Sequence, residues 1–253
     1  MGAFLSKMRG KMGKFLLALL TVLIISSSAF AGNGSKGEIN VKVGLGLFGS
    51  VNMEEGKDEN GNLGYILGYV GDAKHSATSN IGTSFGAEYL YPVSSVLKAG
   101  VGAEYMLSRK MISLEYDDGS GGYYKVDMSA SYIPVYVTVQ ANPLKKIPGI
   151  FIKGNIGYAF FNTDNLNKDI TKFFNETYFP GDGDIVKIND KGGLYFAFSA
   201  GYEFDFGLLL DLSYSYFQSS LDARTDYIGG WDTSSAKFNY GLLGMNAGYK
   251  FKL

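Results

Sequence analysis

A histidine and a serine stand side by side in the chain at His75-Ser76, and hydrolases use this pair of side chains as base and nucleophile. His75 is the only histidine in the sequence. A catalytic site would also need an acid that orients the histidine, and no acidic residue at a matching spacing accompanies the pair. A histidine in a polar segment is more simply an exposed side chain. We therefore predict that the chain has no catalytic residues and is not an enzyme.

Two acidic segments carry the hard oxygen ligands that calcium prefers. They are residues 58–62, Asp-Glu-Asn-Gly-Asn, and residues 182–184, Asp-Gly-Asp. The first segment lacks the glycine and the distal glutamate at the positions of an EF-hand loop. Asp, Asn and Gly are also the usual residues of turns. We predict no metal site and no cofactor.

The elements that position these residues are short alternating segments, which follow one another from residue 38 onward. In the first segment, Ile39, Val41 and Val43 share one face, and Asn40 and Lys42 share the other. This period of two is typical of strands. A tilted strand of about ten residues crosses the hydrocarbon core of a bilayer. Eight such segments are present, at about residues 38–47, 81–91, 97–105, 127–140, 150–161, 193–205, 207–217 and 238–253.

The two faces of these segments differ in a way that indicates a membrane barrel. The apolar face ends in tyrosine and phenylalanine, whereas the more polar face is narrow and rich in glycine. A soluble sandwich or lipocalin-like barrel would instead expose its charged face. Connections are long at about 50–79, 108–125, 162–190 and 218–237, and short at 91–96, 141–149 and 205–207. The sequence thus predicts an all-β, eight-stranded antiparallel up-and-down transmembrane barrel, with a bulge or broken pair at Pro134.

The N-terminus has the pattern of a secretory signal peptide. Four basic residues precede an apolar run at 15–25, which is too short for a spanning helix. Ala29 and Ala31 then supply the small side chains that a signal peptidase reads. We predict a cleaved signal peptide at 1–31, Sec-dependent export, and a barrel domain at 32–253. The mature part would hold 19 basic and 24 acidic residues, which makes nucleic acid an unsuitable partner.

The last strand carries a recognisable terminal signal. Asn246, Gly248, Phe251 and Leu253 resemble the C-terminal assembly signal of bacterial outer-membrane β-barrels. As a pattern, residues 38–253 resemble small barrels of the OmpX, OmpA-transmembrane and OmpW type. This resemblance implies residence in the outer membrane, contact with its lipid and lipopolysaccharide, insertion by the barrel-assembly machinery, and a monomeric state.

Eight charged side chains fall at inward positions, mostly in the half of each strand nearest the periplasm. An eight-stranded barrel has an interior just wide enough to be filled by side chains. We expect these charges to pair across the lumen and to plug it. The outer half could remain an open cup, or be filled by larger residues such as Met106, Tyr195 and Phe217 or by an infolded loop. The eight charges are Lys42, Glu88, Lys98, Glu104, Lys153, Glu203, Asp211 and Lys250.

Counted over residues 50–79, 108–125, 162–190 and 218–236, the four long connections hold 17 acidic and 9 basic residues. The sequence therefore predicts an outer-membrane barrel with a largely plugged lumen and a structural or surface-interaction role through four acidic extracellular loops. The alternative is a narrow porin-like conduit for small or apolar molecules, which the OmpW resemblance implies. A remote alternative is a lipid-modifying enzyme, because His75 and Ser76 are similar in type to the residues of outer-membrane lipid A deacylases.

Overall fold

The computed structural model describes residues 37–55, 81–117, 123–144, 146–162, 186–190, 192–227 and 230–253. Within these ranges every regular element is a strand. No helix among the described residues is long and apolar enough to span a membrane. The strands are β1 (Glu38–Glu55), β2 (Gly82–Pro92), β3 (Leu97–Asp117), β4 (Tyr123–Ala141), β5 (Ile150–Asn162), β6 (Val186–Asp190), β7 (Gly193–Glu203), β8 (Leu208–Tyr227) and β9 (Gly230–Lys252).

The sheet closes on itself, because β9 pairs with both β8 and β1. Each pairing is antiparallel, and β5 pairs with β7 while β6 and β7 both pair with β8. β6 and β7 therefore share one position in the wall, and the barrel has eight strand positions. The predicted eight-stranded antiparallel barrel is confirmed. At the C-terminus, Leu253 donates its backbone N–H to the carbonyl of Gly37, the residue before β1, at 3.0 Å.

The two ends of the barrel differ. One end holds Gly37, Leu253 and the short β2–β3, β4–β5 and β7–β8 connections, and we call it the turn end. We call the opposite end the hairpin end. Near the turn end the register of β1 with β2 runs without a shift. Toward the hairpin end β1 has an extra residue between Gly46 and Phe48 relative to β9, and β3 is irregular between Met106 and Ile112. Such bulges bend a strand and change which face a side chain occupies.

A further irregularity separates β6 from β7. Asp190 pairs with Leu221, and Tyr195 pairs with Phe217. Between these two pairs the chain advances five residues from β6 into β7, whereas β8 advances four. The extra residue is accommodated near Gly192, whose φ of +64° favours glycine.

The strands reach further than the sequence predicts at the hairpin end. The connections expected at 108–125 and 218–237 are largely strand, because β3 pairs with β4 as far as Asp117 and β8 pairs with β9 as far as Tyr227. β6 lies within the connection expected at 162–190. Short-range alternation missed these parts because bulges interrupt it and because the residues there are mixed in polarity.

Pro134 causes a broken pair and no bulge. Pairing of β3 with β4 passes from Ala103–Val135 to Met106–Tyr132, so two positions lack a ladder pair while the register is kept. On the other side Pro134 pairs with Ala159 in a continuous register with β5. Proline has no N–H to donate, which accounts for the one-sided break.

The outer face is apolar around the barrel. Val137, Phe198 and Leu212 are each more than half exposed, as predicted for a lipid-facing surface. Tyr89 is different: it lies near the end of the apolar face of the second segment, where the alternation predicts an outward aromatic ring, but it is only 3% exposed. Its ring lies directly against Gly37 at the chain's entry into β1.

Several sequence predictions concern residues outside the described ranges. These are the signal peptide at 1–31, the His75-Ser76 pair, and the acidic segments 58–62 and 182–184. They remain predictions.

Candidate functional site in the barrel interior

Four side chains form an ionic cluster at the turn end. The ammonium of Lys98 lies 2.5 Å from a carboxylate oxygen of Glu38 and 3.4 Å from one of Glu203. Lys250 also donates to Glu203. These residues come from β1, β3, β7 and β9, so the contacts cross the interior. The cluster, which we call the lower ionic cluster, balances two positive with two negative charges and is partly exposed.

A second cluster lies deeper and centres on Glu88, whose side chain has no solvent exposure. Its carboxylate accepts hydrogen bonds from Lys42 at 2.8 Å and from Lys153 at 2.9 Å. Tyr136 donates its hydroxyl to the same carboxylate at 2.9 Å. Glu104 lies 3.6 Å from the Lys42 ammonium. We call these five residues, on strands β1 to β5, the central ionic cluster.

Glycines on neighbouring strands make room for the central ionic cluster. A Cβ atom placed on Gly102 would lie 2.6 Å from the Tyr136 ring and 2.8 Å from Glu88 Cγ. A Cβ atom on Gly86 would lie 3.1 Å from Lys42 Cε. The glycines of the inward face therefore allow long charged side chains to cross a narrow lumen. Removing one charge would leave its partners buried and unpaired, which is costly.

Asp211 departs from the expected pairing. No lysine among the described residues makes an ion pair with it, and its carboxylate instead accepts a hydrogen bond from Asn246 Nδ2 at 2.6 Å. Asn246 also donates to Ser213 Oγ at 3.1 Å. Asp211 faces a cavity of about 30 Å³ that lies between the central ionic cluster and the hairpin end. We call this space the mid cavity.

Apolar side chains occupy the interior beyond the mid cavity. Tyr132 and Phe217 are essentially unexposed, and their ring centroids are 4.3 Å apart. Phe217 also packs on Tyr240 at 4.8 Å, and Tyr136 packs on Tyr195 at 5.6 Å. Offset and edge contacts of this kind stabilise aromatic pairs. We call this group the aromatic layer: Met106, Tyr132, Tyr195, Phe217, Tyr240 and Leu242, with Phe161 packed against it.

The structure thus places seven of the eight charged site residues in two ion-paired clusters and leaves Asp211 with amide and hydroxyl neighbours. Sequence reasoning missed Glu38, because it stands at the strand boundary where alternation begins. It also missed Tyr132, Tyr240 and Leu242 of the aromatic layer. Tyr132 lies four residues before Tyr136 and therefore on the same inward face of the strand, which could have identified it. Tyr240 and Leu242 of β9 precede the terminal signal, which begins at Asn246, and the sequence analysis of this strand rested on that signal.

The four residues of the terminal signal have distinct positions. Asn246 and Gly248 face inward, where Asn246 contacts Asp211 and Gly248 lies close to Lys42. Phe251 and Leu253 face outward and are about half exposed. Phe251 makes an edge contact with Tyr249, with 5.0 Å between ring centroids.

Comparison with known proteins gives limited matches. No protein-family model matches the chain. An uncharacterised protein of Brucella abortus is 32% identical over 87 residues, which are 33% of this chain and 30% of that protein. The chain thus matches under a third of the length of this curated relative.

Two solved structures are similar over most of their length. The outer-membrane protein OprG from Pseudomonas aeruginosa gives a TM-score of 0.46 with 14% identity, covering 87% of this chain and 98% of that one. The outer-membrane protein AlkL gives 0.44 with 15% identity, covering 88% and 93%. The fold assignment rests on the strand pairing itself. A closed antiparallel register of eight strand positions with an apolar outer face gives this chain the architecture of the small outer-membrane β-barrels.

Proposed function

We propose that the protein is an integral outer-membrane barrel whose interior is closed to ions and solutes, and that its role is structural or depends on surface contacts. One observation carries the proposal: side chains from all parts of the wall meet inside the barrel at two separate heights. The central ionic cluster fills one height, and the aromatic layer fills the other.

The central ionic cluster supports closure because of its pairing. Glu88 accepts hydrogen bonds from three side chains, and neither Glu88 nor Lys153 is appreciably exposed. A hydrated ion could pass only if these contacts were broken, which would leave buried charges without partners. The interior of an eight-stranded barrel leaves little space to go around them.

The aromatic layer supports closure by volume. Tyr132, Tyr195 and Phe217 are among the largest fully buried side chains of the described residues. They project from β4, β7 and β8, and they meet near the barrel axis. The open cup that the glycine-rich sequence allowed at this height is therefore occupied by rings from neighbouring positions.

The outer face supports membrane residence. Valine, leucine, isoleucine and phenylalanine side chains are exposed on every strand position of the barrel, for example Val43 on β1 and Phe198 on β7. A monomeric soluble protein rarely exposes apolar surface this extensive. The surface fits outer-membrane lipid and lipopolysaccharide as surroundings, with Sec-dependent export and the barrel-assembly machinery as the route.

The surface role is assigned to the hairpin end. The β3–β4 and β8–β9 hairpins project there, and the four connecting segments carry the excess of acidic residues. An acidic surface favours basic or cation-bridged partners by electrostatic steering. Two of the four segments are largely strand, in the β3–β4 and β8–β9 hairpins, and the other two lie mostly outside the described residues.

Ion conductance of the refolded protein in planar bilayers tests closure. We expect no steady conductance from the wild type. The double variant Glu88→Gln/Phe217→Ala should conduct, because it disturbs both layers and leaves a wetter path. Phe198→Ala is the matched control, since this ring faces outward and its loss does not touch the interior.

Steady conductance by the wild-type protein would contradict closure and favour the alternative of a narrow conduit for small or apolar molecules. The double variant must be shown to fold by heat-modifiable migration. If it folds and still does not conduct, these two layers do not set the conductance.

A further inference from the structure

Two neighbouring connections at the turn end expose aliphatic side chains. They are the β2–β3 connection, residues 93–96, and the β4–β5 connection, residues 142–149. Short connections are usually built from Gly, Pro, Asn, Asp and Ser, which suit turns in water. Here four aliphatic side chains are each at least 39% exposed: Val93, Val96, Leu144 and Ile147. One exposed aliphatic residue is ordinary, but four on adjoining connections indicate a surface that contacts an apolar partner.

Hydrogen bonds join the two connections and fix their shape. Asn142 donates its backbone N–H to the carbonyl of Val96 at 2.8 Å, which links one connection to the other. The Nδ2 atom of Asn142 donates to the carbonyl of Pro148 at 3.1 Å. Ile147 donates its backbone N–H to the carbonyl of Leu144, also at 3.1 Å. The backbone therefore holds the aliphatic side chains at the surface. We call the two connections together the double turn.

The double turn is also basic. Residues 142–149 hold two lysines, residues 93–96 hold no charged residue, and neither connection contains an acidic residue. Lys146 is exposed, and in the chain it stands between Leu144 and Ile147. The lower ionic cluster balances its own two lysines with two glutamates, so it supplies no spare carboxylate for Lys146. The double turn thus combines an exposed ammonium group with an apolar surface.

We propose that the double turn binds the headgroup of an anionic phospholipid. This rests on the proposed function, in which the barrel spans the outer membrane and the turn end faces the phospholipid leaflet on the periplasmic side. The aliphatic side chains continue the lipid-facing wall, on which Val139 of β4 is 49% exposed. The flexible stem of Lys146 brings its ammonium to the level of the lipid phosphates. A soluble acidic partner would not require an apolar surface continuous with that wall.

The expected preference follows from the charge. One lysine near a membrane surface favours anionic over zwitterionic lipid by roughly fivefold. Salt screens this attraction, so high salt should reduce the preference.

Fluorescence quenching by labelled lipids tests this site. The chain has no cysteine, so Ser95→Cys, at an exposed position of the double turn, gives one attachment point for a fluorophore. The labelled protein is refolded into vesicles of phosphatidylcholine and phosphatidylglycerol. In separate samples one of the two lipids carries a nitroxide on its acyl chain near the headgroup, at the same mole fraction. The ratio of quenching measures local enrichment, and phosphatidylglycerol should be enriched about fivefold.

Lys146→Gln, in the labelled protein, should lower this enrichment several-fold, and Lys146→Arg should keep it, because only the charge is required. Leu144→Ser/Ile147→Ser should reduce quenching by both lipids, because the double turn then loses its contact with the acyl chains. Lys252→Gln is the matched control and should keep the full enrichment. Lys252 is an exposed lysine at the same end of the barrel, and β9 lies across the barrel from β4 and β5.

Equal quenching by the two lipids, without the Lys146 substitutions, would overturn the proposal and favour a soluble acidic partner for the double turn, while membrane residence would stand. A Lys146→Gln variant with undiminished enrichment would also overturn it. If neither lipid quenches the fluorophore in protein shown to be folded by heat-modifiable migration, the turn end does not lie at the bilayer surface. That result would contradict membrane residence itself, and the proposal with it.

Discussion

The central ionic cluster and the aromatic layer both lie in the barrel interior, but different physical interactions hold them together. The cluster uses long side chains beside glycines, and its stability depends on pairing each charge. The aromatic layer uses ring volume and tolerates imperfect geometry between the rings. The first should be sensitive to a change in charge at constant shape, and the second to a change in volume.

Glu88→Gln should give the largest loss of stability, because it keeps the shape and removes the charge that Lys42 and Lys153 share. Leaving a buried charge unpaired costs about 3–5 kcal/mol, and less if water enters. The measurement is the free energy of unfolding in urea. A loss smaller than that of Glu203→Gln would contradict the central position of Glu88 in the cluster.

Phe217→Ala should cost about 3 kcal/mol, near the lower end of the range for truncation of a buried phenylalanine. Phe217→Leu should recover most of this loss, because volume is what the aromatic layer requires. At Glu88, by contrast, keeping the side-chain shape with glutamine should not recover stability, because the central ionic cluster requires the charge. Unfolding of the outward variant Phe198→Ala is the reference, and an equal loss there would show that ring burial in the lumen is not the cause.

Gly102→Ala should cost about 1–3 kcal/mol, because a Cβ atom at this position would contact Tyr136 and Glu88 and overpack the cluster. Gly154→Ala is the matched control. No atom lies within 4 Å of a Cβ placed on Gly154, which faces outward on β5. Equal urea midpoints for the two variants would mean that the cluster can shift to accept a methyl group.

Glu203→Gln should have the smallest effect, about 1 kcal/mol, because its pairs with Lys98 and Lys250 are partly exposed. Salt should weaken this contribution, since exposed charges are screened. Unfolding at low and high salt measures it. A loss that is large and independent of salt would place Glu203 with the buried cluster instead.

Local patterns made much of the wall predictable. Alternation in β1 and β5 placed Val41 and Ile156 outward and Lys42 and Lys153 inward, as the structure has them. The pattern failed where the backbone is irregular. Continued alternation from Val43 and Leu45 would place Leu47 outward, but a bulge follows Gly46 and places Phe48 at the exposed position. A bulge is decided by both strands of a pair, so one strand's alternation does not locate it.

The sequence by itself determined the period of two, the apolar outer face, and which charges turn inward, because these depend on neighbouring residues in one strand. Only the tertiary structure decided which charges meet. Lys42, Glu88 and Lys153 lie on three different strands, and their contact depends on the tilt and register of the closed sheet. The same closure leaves Asp211 without an ion pair to any lysine of the described interior, although Lys42 and Lys153 line the same cavity, because strand register and barrel closure set the distances between inward side chains.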